Sequence, residues 1–203
     1  MTRPKDAAGC CAIVLAAGRA TRFGGNKLLA PFHGAPLLSH PLRVLDQARH
    51  EGLITRTIAV IRPQPLAVAE LVRTMGAEPA FQSDPRGSQG SSLRVGLAAA
   101  LGCSSAMVVL GDQPLLRIEA IQAVLGTAAL HPDALIRARY TEAATTPGHP
   151  VVIPSAWWHL SEMEGGFREV GGAGLQELEA LIPGNNPDVD TPDDLRALGN
   201  SPD

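Results

Sequence analysis

The chain has 203 residues, 45% of them hydrophobic and 18% charged, which suits one domain with a sizeable core and excludes a disordered tail. A net charge of −3 excludes broad nucleic-acid binding through a basic surface, although a local basic pocket stays open. No apolar window reaches the roughly twenty residues that a membrane helix needs, and Met1–Gly9 is polar and too short for a signal peptide, so a reducing cytoplasm is the expected compartment.

Aromatic residues make up only 3% of the chain, so the core must be aliphatic and alanine-rich. Among 17 basic residues only Lys5 and Lys27 are lysines. Residues 1–9 read as a flexible tail, which leaves Lys27 as the only lysine of a single domain over 10–203. Cys10, Cys11 and Cys103 match neither a disulfide framework nor a zinc pattern, and the adjacent pair reads as core filling.

Short apolar runs alternate with amphipathic stretches. Cys11–Ala16 reads as a buried strand, Pro36–His50 as a helix, Thr57–Ile61 as a strand and Pro65–Met75 as a helix. Glu78–Phe81 reads as a short strand and Gly90–Leu101 as a helix with Leu93, Leu97, Ala100 and Leu101 on one face. Ala106–Leu110 is a further buried strand, Ile118–Leu130 a helix, and a strand begins at Ala134. The alternation predicts an α/β fold, Rossmann-like, with a mostly parallel sheet and helices on both faces. Ligands of such sheets bind beyond the carboxyl ends of the strands. The last quarter differs: Gly148–Ile153 is extended, Pro154–Glu164 helical, Gly165–Gly174 a glycine loop, Gly174–Leu181 helical and Pro187–Asp190 extended. A short helix over Pro192–Leu198 follows, with Thr191 as N-cap and Asp193 and Asp194 in its first turn. The expected division is a nucleotide-binding part over 10–140 and a C-terminal, acceptor-side insertion over 141–203.

The loop after the first strand runs Leu15-Ala16-Ala17-Gly18-Arg19-Ala20-Thr21-Arg22-Phe23-Gly24-Gly25-Asn26-Lys27. It is neither GxGxxG nor GxxxxGK[ST], and a dinucleotide-binding dehydrogenase is further disfavoured by the lack of an acidic ribose ligand at the usual distance. Its small residues let backbone N–H groups approach an anion, with Arg22 as a forked cation and Lys27 as a point cation. Composition alone equally describes a glycine turn with exposed cations; the position after the first strand favours a triphosphate cradle. Asp112, after the strand ending at Leu110, is placed to hold Mg²⁺ opposite that cradle, or to form an Asx-turn before Pro114. The polar loop Asp84–Arg94 runs into a helix N-terminus where Ser88 or Ser91 can cap and where Gly90 and Ser92 can face a nucleotide. Arg62, just past the second strand, falls at the expected pocket rim; taken alone it is a surface arginine.

Leu15–Lys27 resembles the LAAGxSxRxGxxK signature of the MobA-like nucleotidyltransferases, with Ala20 where serine is frequent. Leu28-Leu29 and Gly34-Ala35-Pro36-Leu37-Leu38 fit its continuation, Gly111-Asp112-Gln113-Pro114 its GDxP motif, and Asp188-Val189-Asp190-Thr191-Pro192 its D-x-DTP ending. GDQP and Gly148-His149-Pro150-Val151 are most similar to the molybdenum-cofactor cytidylyltransferase branch. The resemblance implies transfer of CMP from CTP to the phosphate of molybdopterin, with release of pyrophosphate. It assigns catalysis to Lys27, Arg22 and Asp112, and nucleotide contacts to Leu15, Ala16, Ala17, Gly18, Arg19, Ser88, Gly90, Ser91 and Ser92. Acceptor contacts fall to Gln113, Pro114 and His149, and the metal, Mg²⁺, to Asp112 and Asp190. A molybdenum hydroxylase is the implied client; neither nucleic acid nor membrane is an expected partner. An ionised phosphate acceptor needs no general base. Two departures stand out: Gln89 replaces a frequent glutamate, and Val170–Gln176 has Gly172 and Gln176 where that branch often has an acid and an arginine. The rival readings are a guanylyltransferase or other NTP transferase of the same fold, and a non-catalytic carrier or insertion chaperone for the molybdenum cofactor.

Overall fold

A computed structural model describes residues 9–142, 148–162 and 176–200, with the side chains of residues 160–162 left aside. β1 (Cys10–Ala16) is an apolar run inside the sheet, paired on both edges. β1 pairs in parallel with β4 (Thr57–Ile61) and β6 (Ser105–Leu110). β5 (Glu78–Phe81) extends the sheet beyond β4. On the far side come β7 (Leu135–Tyr140), β8 (Gly148–Pro154) and β9 (Glu177–Ile182), giving the order β5-β4-β1-β6-β8-β7-β9. Only β8 is antiparallel to its neighbours in this sheet.

β1, β4 and β6 lack polar alternation because both of their faces are covered. On one face Ala12, Val14 and Ala16 pack with α1 (Ser39–His50), α2 (Leu66–Thr74) and α4 (Ile118–Leu130), through Leu42, Leu45, Val72, Ile121 and Val124. On the other, Cys11 and Ile13 pack with Leu93 and Leu97 of α3 (Gln89–Ala99), and Trp157 and Trp158 of the 3-10 segment Ser155–Glu162 lie against the same cluster. The buried Cys11 thiol and the Cys10 thiol, pushed up to about 11 chiefly by burial, fit core filling and not reactivity. A Cβ on Gly96 of α3 would lie 2.5 Å from Ile13 Cγ2 and 3.1 Å from Val60 Cγ2. Gly96→Ala therefore forces the helix off β1 and β4; a loss of about 1–3 kcal/mol is expected in urea unfolding.

A small hairpin, β2 (Pro31–Phe32) with β3 (Ala35–Pro36), occupies the stretch before α1, so that helix starts at Ser39 and not at Pro36. Phe32 and Leu37 receive Val189, Leu195 and Leu198, which docks α5 (Pro192–Gly199) beside the first loop. The helix expected over Gly174–Leu181 is corrected: β9 occupies 177–182, parallel to β7. Leu178, Ala180 and Ile182 alternate with exposed Glu177, Glu179 and Leu181, a period of two that belongs to a strand. Pairs of Arg137 with Glu177 and of Arg139 with Glu179 (2.8 Å) tie that strand in from its outer side. Pro187–Asp190 is not a strand; Val189 N instead donates to Asp112 O at 3.0 Å. The tail over 1–8, the glycine loop over 165–174 and Val170–Leu175 of the departing segment lie outside the described residues.

Candidate active site

A cleft of about 660 Å³ opens over the carboxyl ends of β1, β4 and β6. Leu15, Ala16, Ala17, Gly18 and Arg19 form its floor and one wall, and Ser88, Gln89 and Ser92 stand on the other. Lys27, Arg62, Asp112 and Asp188 also line it. Gly111 makes the approach of the two central strands possible. Its N–H donates to Leu15 O at 3.0 Å, and a Cβ there would meet Ala16 Cβ at 2.8 Å. That closeness sets Asp112 directly across from the first loop. The loop itself turns through Ala20 and Gly24, both left-handed at φ 49° and 74°. Alanine seldom adopts this conformation.

Lys27 begins a short 3-10 turn, Lys27–Leu29, and is only 8% exposed. Its Nζ donates to Asp112 Oδ2 at 2.6 Å and lies 3.6 Å from Asp190 Oδ1. Asp190 Oδ2 in turn takes Arg22 Nη2 at 2.9 Å. Lys27 and Arg22 of one loop, Asp112 and Asp190 thus meet from three distant parts of the sequence. The outer Arg22–Asp190 pair is largely solvated and adds little stability; the Lys27–Asp112 pair is the sheltered one. Asp190 is fixed from behind by the α5 cap. Thr191 Oγ1 accepts from Asp194 N, and Asp194 Oδ2 accepts from Thr191 N at 2.7 Å and from Asp190 N at 3.0 Å. These bonds hold the Asp194 carboxyl below the usual range and account for it as a capping residue.

Gln113 and Pro114 are buried behind the site. Gln113 Nε2 donates to Asp188 Oδ1 at 2.6 Å and to Asn186 O at 3.0 Å, while Asn186 Nδ2 donates back to Gln113 Oε1. Gln113 thus positions Asp188, and neither Gln113 nor Pro114 lines the cleft. His149 stands half-buried at the start of β8 and is not part of the cleft wall. In the second loop Ser88 is the N-cap of α3, accepting from Ser91 N at 3.2 Å. Ser91 Oγ bonds Ser88 O and receives Gln82 Nε2, so Ser91 serves the loop's own structure. Gly90 and Ser91 do not line the cleft, whereas Ser88 and Ser92 do.

Two cleft residues, Asp188 and Arg62, carry no site role in the sequence, although both stand in segments it marks. Asp188 carried a signal, its place two residues before Asp190, but the tertiary contact with Gln113 was needed to turn it inward. Arg62 was seen only as rim. Burial, and then the neighbouring Asp112, push the Asp188 carboxyl above the usual carboxylate range, against the lowering effect of Gln113. Its ionised form therefore costs stability above that raised value, and the cost fades as pH falls through it towards the unfolded value. Asp188→Asn keeps an acceptor for Gln113 and removes the charge. We expect a higher Tm than the native chain at neutral pH and a difference that shrinks on acidification, read by thermal unfolding across pH.

Two carboxylates converging on one cation, beside glycine-rich loops at strand ends, are the furniture of a nucleotide-handling site. The profile of the MobA-like NTP transferase domain matches residues 12–178. The chain belongs to this family. A probable molybdenum cofactor guanylyltransferase of Thermococcus kodakarensis is 36% identical over 112 residues, covering 55% of this chain and 50% of that one. The purine catabolism protein PucB of Bacillus subtilis is 28% identical over 200 residues, covering 90% of this chain and 92% of its own. The chain spans only 24 to 50% of the length of the first curated relatives it matches. Among solved structures, Rv0371c of Mycobacterium tuberculosis superposes with a TM-score of 0.81 at 26% identity, covering 95% of this chain and 99% of that one. The same protein has been solved in complex with manganese, with a TM-score of 0.78 at 25% identity and the same coverage. Among the described residues no helix is long and apolar enough to cross a membrane.

Proposed function

We propose that the protein transfers a nucleotidyl group, CMP from CTP, to the terminal phosphate of molybdopterin and releases pyrophosphate. The observation that carries this reading is Lys27 held between Asp112 and Asp190 in the cleft between two glycine-rich loops. A buried lysine there is a point cation for phosphate oxygens, and Arg22 adds a forked one beside it.

The donor set fits Mg²⁺. Asp112 and Asp190 supply hard oxygen ligands that converge on a single point. Among the described residues no three acidic, His or Cys side chains form a closed cage. Mg²⁺ commonly takes one or two carboxylates and completes its shell with water and substrate phosphate. The manganese complex of the related mycobacterial protein supports a divalent ion in this fold. When bound, Mg²⁺ would offset phosphate charge and ease departure of pyrophosphate. The chain's own work is positional. Leu15–Gly18 and Ser88 and Ser92 seat the nucleotide, Lys27 and Arg22 hold the phosphates in line, and the ionised acceptor phosphate attacks the α-phosphorus without a general base.

The acceptor side rests on the GDQP and GHPV segments, with Gln113, Pro114 and His149 as the proposed acceptor residues, and on the molybdenum-cofactor relative. The purine catabolism name of the Bacillus relative suits a cytoplasmic molybdenum hydroxylase as client. GTP is the second donor reading, favoured by the guanylyltransferase relative. A non-catalytic carrier is opposed by the intact Lys27, Asp112 and Asp190, which a carrier does not need. The test is incubation with Mg²⁺, molybdopterin and CTP or GTP in turn. Pyrophosphate and a cytosine dinucleotide with CTP are expected. Product with GTP alone moves the donor to guanine, and binding of molybdopterin without NTP turnover supports the carrier.

A further inference from the structure

Arg62 follows β4 and lines the cleft from the side opposite Asp112. Its guanidinium bridges the two loops between which the nucleotide is proposed to lie. Nε donates to Ala17 O in the first loop at 3.0 Å, and Nη1 donates to Asp84 O in the second at 3.1 Å. Arg19, from the first loop, donates to Pro85 O of the second and repeats the crosslink further out. The third nitrogen of Arg62, Nη2, is buried with no hydrogen-bond partner. Among the described residues Lys27 and Arg22 are each paired with carboxylates, whereas Arg62 has none within ion-pair distance.

We propose that Arg62 is the positioning residue that sets the width of the donor-nucleotide cleft. A single planar fork holds both loop carbonyls, so the spacing between the loops is tied to one rigid group. With Ala17 O and Asp84 O held away, the loop N–H groups stay turned to the cleft. Its uncompensated charge raises the potential of the cleft where an anionic ligand enters, while the charges of Lys27 and Arg22 are largely offset until that ligand arrives. The fork, more than the charge, is decisive. Lysine at this position keeps the cation but cannot reach both carbonyls with fixed geometry. The inference rests on the proposal that this cleft binds an NTP.

The test is calorimetric binding of each of the four NTPs with Mg²⁺ to the native chain, Arg62→Ala and Arg62→Lys. The native chain is expected to bind at least one NTP, and both variants to bind it about tenfold or more weakly. Millimolar guanidinium is expected to restore part of the affinity of Arg62→Ala while leaving the native chain unchanged. Thermal unfolding checks that all three proteins are folded. Native-like affinity in Arg62→Lys overturns the clamp, as does loss of affinity in Arg62→Ala that guanidinium fails to relieve. No binding of any NTP by the native chain removes instead the functional reading beneath it.

Discussion

Asp112→Ala yields a folded protein that releases no measurable pyrophosphate from CTP or GTP in the presence of molybdopterin and Mg²⁺. The expected loss is about 10³-fold or more, the scale of removing a preorganised electrostatic partner of a phosphoryl transition state. Two groups lose their anchor at once. Lys27 Nζ loses its contact at 2.6 Å, and the proposed metal loses the carboxylate that faces the first loop. The fold is expected to survive because Lys27 retains Asp190 at 3.6 Å and is not left as an orphaned buried cation. The bond from Val189 N to Asp112 O is a backbone contact and does not depend on the side chain. Circular dichroism and thermal unfolding check the fold, and a pyrophosphate assay checks the chemistry. Undiminished activity would sink the assignment.

Lys27→Ala is expected to lose activity on a similar scale, about 10²–10³-fold, but with a different stability signature. Removing the lysine leaves Asp112, Asp188 and Asp190 near one another with only the exposed Arg22 in compensation. The Asp188 carboxyl, already pushed up by burial and by Asp112, loses the lowering charge of Lys27 and rises further, so the variant is least stable at neutral pH and above. The deficit shrinks as pH falls and the Asp188 carboxyl takes up its proton. If these carboxylates hold a divalent ion, Mg²⁺ should raise the Tm of Lys27→Ala more than that of the native chain, by preferential binding to the folded state. A pH-independent loss, or a Tm indifferent to Mg²⁺, would count against the carboxylates as a metal site. Lys27→Arg is not a conservative control here, because the wider guanidinium has to fit a slot in which lysine is 8% exposed.

The first half of the fold was readable because each piece carries its own local signal. β1, β4 and β6 are continuous apolar runs, and α3 places Leu93 and Leu97 on one face over Ile13 and Val60. The last quarter was less readable. β9 reads as a helix in the sequence because five of its six residues, Glu177–Leu181, also suit a helix, and only pairing with β7 makes the alternation of Leu178, Ala180 and Ile182 meaningful. The hairpin of β2 and β3 has strands of two residues, too short for any periodicity to show.

The site divides in the same way. Lys27, Arg22 and Asp112 could be named from the chain because loops at the carboxyl ends of parallel strands must converge, whatever the details of packing. Residue order alone supplies the chemistry on offer: two cations, a run of small residues and a carboxylate at a strand end. Gln113 shows what it could not determine, since a polar residue beside a functional aspartate can face outward to a substrate or inward to the core. Docking of α5 on the hairpin brings Asn186 and Asp188 against Gln113 and turns it inward. Arg62 became a bridge between loops only once β4 lay beside β1. These roles depend on contacts spanning 22 to 75 residues, which no local pattern encodes and which hydrophobic packing of the sheet alone brings together.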